Sequence, residues 1–119
     1  MGCIYFFINP QEKPRIINSL PDRLASEMNS EVRIDCMAIG SPRPEIRWYK
    51  DGNQIQQYQN GFNILNNGSL LIGSLQPYDN GLYECMAISE SGNDTIEITI
   101  DTQGWCYLCS PPSMVFFSN

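Results

Sequence analysis

Residues 79 to 85 read Asp79-Asn80-Gly81-Leu82-Tyr83-Glu84-Cys85. An aspartate opens a tight corner, a glycine relieves its sterics, and a tyrosine stands two residues before a cysteine. From Leu82 to Ser89 the side chains divide into two sets: Tyr83, Cys85 and Ala87 face one way, Glu84, Met86 and Ile88 the other. Period two over that length describes a half-buried strand. The corner therefore delivers the chain into a sheet.

The same period recurs upstream and downstream. Glu31 to Ile39 sets Val32, Ile34, Cys36 and Ala38 against Arg33, Asp35 and Met37. Gly40-Ser41-Pro42-Arg43-Pro44 turns the chain into Glu45 to Lys50, with Ile46 and Trp48 inward and Arg47 and Tyr49 outward. Asp51-Gly52 ends that strand as a hairpin turn. Asn53 to Asn60 is polar, with a short strand around Ile55. Phe62 to Leu65 follows, and Asn66-Asn67-Gly68 turns again. Ser69 to Leu75 offers Leu70, Ile72 and Leu75 to a core, and Gln76-Pro77-Tyr78 crosses to the corner. Beyond it, Ser91-Gly92-Asn93-Asp94 reads as a hairpin turn, and Thr95 to Asp101 alternates Ile96, Ile98 and Ile100 against Thr95, Glu97 and Thr99. Near the start, Pro14 to Leu20 and Leu24 to Ser30 read as two short edge strands separated by Pro21-Asp22. About eight strands with frequent turn signals predict an all-β, two-sheet antiparallel β-sandwich.

The motifs resemble those of the I-set branch of the immunoglobulin superfamily. They are Cys36, the run from Gly40 to Gly52 containing Trp48, Gly68-Ser69-Leu70-Leu71-Ile72, and Asp79-x-Gly81-x-Tyr83-x-Cys85. The resemblance covers residues 11–101, leaving an N-terminal extension over 1–10 and a C-terminal tail over 102–119. It implies a disulfide between Cys36 and Cys85, a core around Trp48, Leu70 and Ile72, and a corner built by Asp79, Gly81 and Tyr83. The Tyr83 hydroxyl should return to a backbone group near Gln76 to Asp79. The split first strand fits the same branch. Such modules occur in hemicentin-, peroxidasin-, papilin- and neural cell-adhesion-type proteins, and in muscle giants of the titin and twitchin type. The resemblance implies non-catalytic adhesion, matrix assembly or receptor recognition, with an intramuscular spacer as the alternative. Its partners would be proteins, among them neighbouring immunoglobulin-like domains or further copies. One departure concerns Asp79: no Arg or Lys lies between Asp51 and Asp79, so its carboxylate must bond backbone N–H groups or water.

Charge narrows the partners. The net charge is −6, and all seven Lys and Arg lie between Lys13 and Lys50. Nucleic acid and anionic membrane surfaces need clustered cations that the later chain lacks. No apolar run approaches the ~20 residues that span a bilayer, so membrane insertion is not expected. Met1 to Ile8 is apolar, but it has no basic residue and runs into Asn9-Pro10, so it fails as a signal peptide. Met1-Gly2-Cys3 lacks the Ser or Thr of a myristoylation signal, because Phe6 stands there. An extracellular protein, the setting a disulfide favours, would then carry its targeting segment elsewhere. Cysteines number five, so at least one of Cys3, Cys106 and Cys109 is left over beside the Cys36–Cys85 pair. Gln103 to Asn119 departs from the strand pattern and reads as the start of another domain or a mis-assigned coding end. Cys106 and Cys109 there have neither the strand–helix context of a redox pair nor the further ligands of a zinc site.

The outward residues Arg47, Tyr49, Glu84, Met86, Ile88 and Glu97 form a candidate binding face, since Met86 and Ile88 occupy positions where polar residues would be the bland choice. The competing reading is that Tyr49 and the aliphatic residues merely cover one another. Asn67-Gly68-Ser69 and Asn93-Asp94-Thr95 are N-glycosylation sequons, both expected at turns. Histidine is absent, which removes the usual general base, and no phosphate-cradling glycine loop is present. No catalytic residue, metal site or cofactor is expected; Glu90, Asp94 and Asp101 would attract calcium only weakly.

Overall fold

Each strand hides one side and wets the other, so the strands stack as two sheets with their apolar sides together. The computed structural model describes residues 11–103. Its strands are β1 (Glu12–Ile16), β2 (Arg23–Glu27), β3 (Val32–Ile34), β4 (Ala38–Ser41), β5 (Glu45–Lys50), β6 (Asn53–Gln54), β7 (Phe62–Ile64), β8 (Leu70–Ile72), β9 (Gly81–Ser89) and β10 (Gly92–Gln103), and among the described residues a 3-10 turn covers Pro77–Asp79. One sheet runs β2-β10-β9-β5-β6; facing it are β3-β8-β7 and the ribbon β1-β4. Residues 1–10 and 104–119, including Cys3, Cys106 and Cys109, lie outside the described residues.

The stretch from Glu31 to Ile39, expected as one strand, is divided into β3 and β4 because it changes partners midway. Val32 to Ile34 pair with β8, whereas Ala38, Ile39 and Ser41 pair with β1. Between them the Asn18 carboxamide does a strand's work. Its Oδ1 accepts the Met37 N–H at 2.7 Å and its Nδ2 donates to the Asp35 carbonyl at 2.9 Å. The alternation itself persists through the break: Val32, Ile34 and Cys36 are buried, and Arg33, Asp35 and Met37 are exposed.

Several expected boundaries move, and three have a visible cause. The first edge strand spans Glu12–Ile16, not Pro14 to Leu20, because the chain must then cross to the other sheet, where β2 runs parallel to β10. The last hairpin turns on Glu90 and Ser91 alone, so Gly92 to Asp94 already belong to β10. Ser91 explains the tightness: its hydroxyl donates to the carbonyls of Glu12 (2.9 Å) and Ser41 (3.2 Å), tying the hairpin to β1 and β4. At its far end β10 continues to Gln103, two residues past the expected limit, where Thr102 and Gln103 pair with Ser26 and Glu27.

The core is centred on Trp48, Tyr83, Leu70, Ile72, Leu75, Ile100 and the Cys36–Cys85 disulfide, whose Cα atoms are 6.5 Å apart. Trp48 is fully buried, and its indole N–H donates to the Gly68 carbonyl at 2.7 Å, which removes the penalty of an unpaired donor. Gly68 has φ +96°, and an added Cβ would stand 2.8 Å from the Cys36 carbonyl, so only glycine fits this turn.

Candidate recognition face

The corner comes first, because it sets the level of β9. Asp79, almost fully buried, accepts the Gln76 N–H through Oδ2 at 2.9 Å, a backbone partner in place of a cation. The Tyr83 hydroxyl donates to the Asp79 carbonyl at 2.5 Å. Burial, then the nearby Asp79 and Asp51 charges, push the Tyr83 phenol above its ordinary value, so it stays a donor. Gly81 is needed for a reason outside its own turn. A Cβ there would lie 2.6 Å from Oδ2 of Asp51, whose Oδ1 accepts the Leu82 N–H at 3.0 Å.

With β9 anchored, pairing lays out the outward side of the five-stranded sheet as three rows. Tyr49, Glu84 and Glu97 share one; Arg47, Met86 and Thr95 the next; Glu45, Ile88 and Asn93 the third. All six residues of the predicted face are therefore neighbours, with Met86 central. Met86, Ile88, Glu84, Arg47 and Tyr49 are half-buried, and Glu97 is exposed. The aliphatic pair on β9 thus lies between the outward side chains of β5 and β10. Arg47 leans along its own strand, with Nε 3.2 Å from Glu45 Oε2; Glu45 first, then Tyr49, raise the pull on its proton above the ordinary arginine value. Glu84 and Glu97 stand directly opposite one another, a like-charged pairing that disfavours the sheet unless a cation answers it.

Asn93, Thr95 and Glu45 belong to this surface but not to the predicted set. The clue was the period-two run through Glu97 and Thr95, which reaches Asn93 once the turn is shortened to Glu90 and Ser91. Asn93 is exposed on a strand, so only Asn67 of the two sequon asparagines sits in a turn. A second apolar patch, Ile17, Met37 and Ile39, lies exposed beside the β1-β4 ribbon; Met37 had an outward position in the sequence, but its companions come from pairing. The acidic trio is not assembled. Asp94 accepts the N–H groups of Ile16 (2.8 Å) and Thr95 (3.0 Å), and Asp101 pairs with Arg23. Among the described residues no cluster of three metal-ligating side chains occurs, and no helix is long and apolar enough to cross a membrane.

A model of the family described as immunoglobulin domain matches residues 13–89. Protein sidekick-1 from Homo sapiens is 37% identical over 82 residues, 68% of this chain and 4% of its own length. Hemicentin-2 from Mus musculus is 33% identical over 89 residues, 75% of this chain and 2% of its own. The chain thus spans a small fraction of the curated relatives it matches. Among solved structures, sidekick-1 immunoglobulin domains 1-5 superpose with a TM-score of 0.75 and 31% identity, covering 78% of this chain and 20% of that one. Titin domains z1z2 in complex with telethonin superpose at 0.74 with 29% identity, covering 82% and 50%.

Proposed function

The chain belongs to the immunoglobulin-domain family, and from that membership we propose that it is a non-catalytic protein–protein recognition module of a multidomain extracellular matrix or cell-surface protein. The observation that carries this reading is the outward face of β5, β9 and β10. There an aliphatic floor of Met86 and Ile88 is flanked by Arg47 and Tyr49 on one side and lies beside the opposed Glu84 and Glu97. That arrangement suits a protein partner placing an apolar side chain on Met86 and a lysine or arginine between the two glutamates. The Cys36–Cys85 bond supports an oxidising compartment.

The test screens the multimerised chain against a library of purified ectodomains. A specific partner is expected, and its binding should be lost in the Met86→Lys/Ile88→Lys variant while the thermal midpoint moves little. Binding that survives both charges would remove this face from the mechanism.

The likeness to titin domains supports a second reading, a spacer in an intracellular array. Alkylation of natively expressed protein separates the two: free thiols at Cys36 and Cys85 favour the spacer, and a blocked pair favours the extracellular module.

A further inference from the structure

The two sequons differ in what the fold asks of them. In Asn67-Gly68-Ser69 every residue is engaged. Asn67 Oδ1 accepts the Ser69 N–H at 3.0 Å, Gly68 supplies the left-handed turn against Cys36, and the buried Ser69 hydroxyl donates to Asp35 at 2.8 Å. In Asn93-Asp94-Thr95 only Asp94 is engaged, through Ile16 and Thr95. Asn93 and Thr95 are exposed, and among the described residues neither side chain makes a hydrogen bond. Space surrounds Asn93 as well. On the side of β1 it borders a cleft of about 440 Å³ lined by Lys13, Pro14, Arg15 and Ile39. On the other side it stands opposite Ile88, and Thr95 opposite Met86.

We propose that Asn93 is an N-glycan acceptor whose glycan lies over Ile88 and Met86, so that its occupancy decides whether the sheet face can receive a protein. The inference rests on the extracellular reading above. In the transfer, the Asn93 carboxamide nitrogen attacks the anomeric carbon of a lipid-pyrophosphate-linked oligosaccharide. The N–C bond forms, the C–O bond to the pyrophosphate breaks, and the amide proton passes to a base of the transferring enzyme. The lipid pyrophosphate leaves, and nothing is oxidised or reduced. Strands in a sheet lie about 4.8 Å apart, so the first sugars rooted on β10 already overhang β9. Two copies of the chain then differ in function without differing in fold: one with Asn93 bare presents Met86, the other presents carbohydrate.

The experiment expresses the full chain behind a cleavable leader in a secretory cell line and removes glycans enzymatically in heavy-oxygen water. Peptide masses then mark which asparagine carried sugar; Asn93 is expected to be marked. Intact and deglycosylated protein, with Thr95→Ala as the sequon-null control, are next exposed to dilute hydrogen peroxide. Met86 oxidation should be roughly threefold or more faster without the glycan, with Met37, exposed outside this sheet, unchanged as the internal reference. A secreted, disulfide-bonded chain with Asn93 unmarked overturns the proposal while leaving the recognition reading intact. Equal Met86 rates with and without the glycan overturn its control of the face. Free Cys36 and Cys85 thiols in natively expressed protein overturn the extracellular reading and this proposal with it.

Discussion

Tyr83 and Asp79 close the corner through one hydrogen bond of 2.5 Å from the phenol to a buried carbonyl. Tyr83→Phe keeps the ring's packing against Phe62, at a 6.1 Å edge-on separation, and removes only the donor. The substitution should cost about 1–3 kcal/mol, because the Asp79 carbonyl is left without its partner. Urea midpoints at neutral pH, with the slope unchanged, measure it. The pH dependence carries a definite sign. A phenol held above its ordinary value of 10.0 stabilises the fold fully below that value, and the contribution is lost as pH rises through the folded one. Wild type should therefore lose part of its advantage over Tyr83→Phe in strong alkali. The corner of Asp79 and Tyr83 was implied by the likeness of Asp79-x-Gly81-x-Tyr83-x-Cys85 to the family's motif. That Gly81 must make room for the Asp51 carboxylate was not, since Asp51 lies on the preceding hairpin and meets Gly81 only across the sheet.

Elements were legible where one face is buried, and least so where a side chain stands in for a strand. β7 is an edge strand, and an open edge invites pairing with another chain. The Gln57 amide covers it: Oε1 accepts the Ile64 N–H at 2.5 Å and Nε2 donates to the Ile64 carbonyl at 2.8 Å. Asn18 does the same where β3 gives way to β4. Gln57 lies in a polar stretch and Asn18 inside a run that reads as edge strand, and neither position tells which backbone its amide will meet. Gln57→Ala should speed amide exchange of Ile64 by up to about tenfold, the loss of one modest hydrogen bond. Exchange measured by NMR at that amide, with Leu70 as reference, checks it; an unchanged rate would mean the edge is protected some other way. β10 shows the converse difficulty. Its glycine and polar start resembles a turn, and only pairing with β9 draws Gly92, Asn93 and Asp94 into the strand and sets Asn93 opposite Ile88 on the outward side of the sheet.

Across the whole molecule the disulfide ties positions 49 apart. In the chain-entropy model a closed loop of about 50 residues stabilises by roughly 4 kcal/mol. The paired substitution Cys36→Ala/Cys85→Ala should therefore lower the free energy of unfolding by about that amount, read from chemical denaturation; a loss below about 1 kcal/mol would show that the denatured chain is already restricted at this point. β10 fixes the domain's long axis. It starts at the pole where Ser91 meets Glu12 and ends where Thr102 bonds Asn80, so the described chain enters and leaves at opposite ends, about 35 Å apart at the rise of a strand. Residue order alone determined which side chains are inside, Cys36, Trp48, Leu70, Ile72, Tyr83 and Cys85 among them, because alternation is a local property of an extended backbone. Only the tertiary structure decided which strands neighbour which, where the last hairpin turns, and that Asn93 stands beside Ile88. Register arises from bonds between residues far apart in the chain, such as Ser91 with Glu12 and Ser41, and a local pattern carries no record of them.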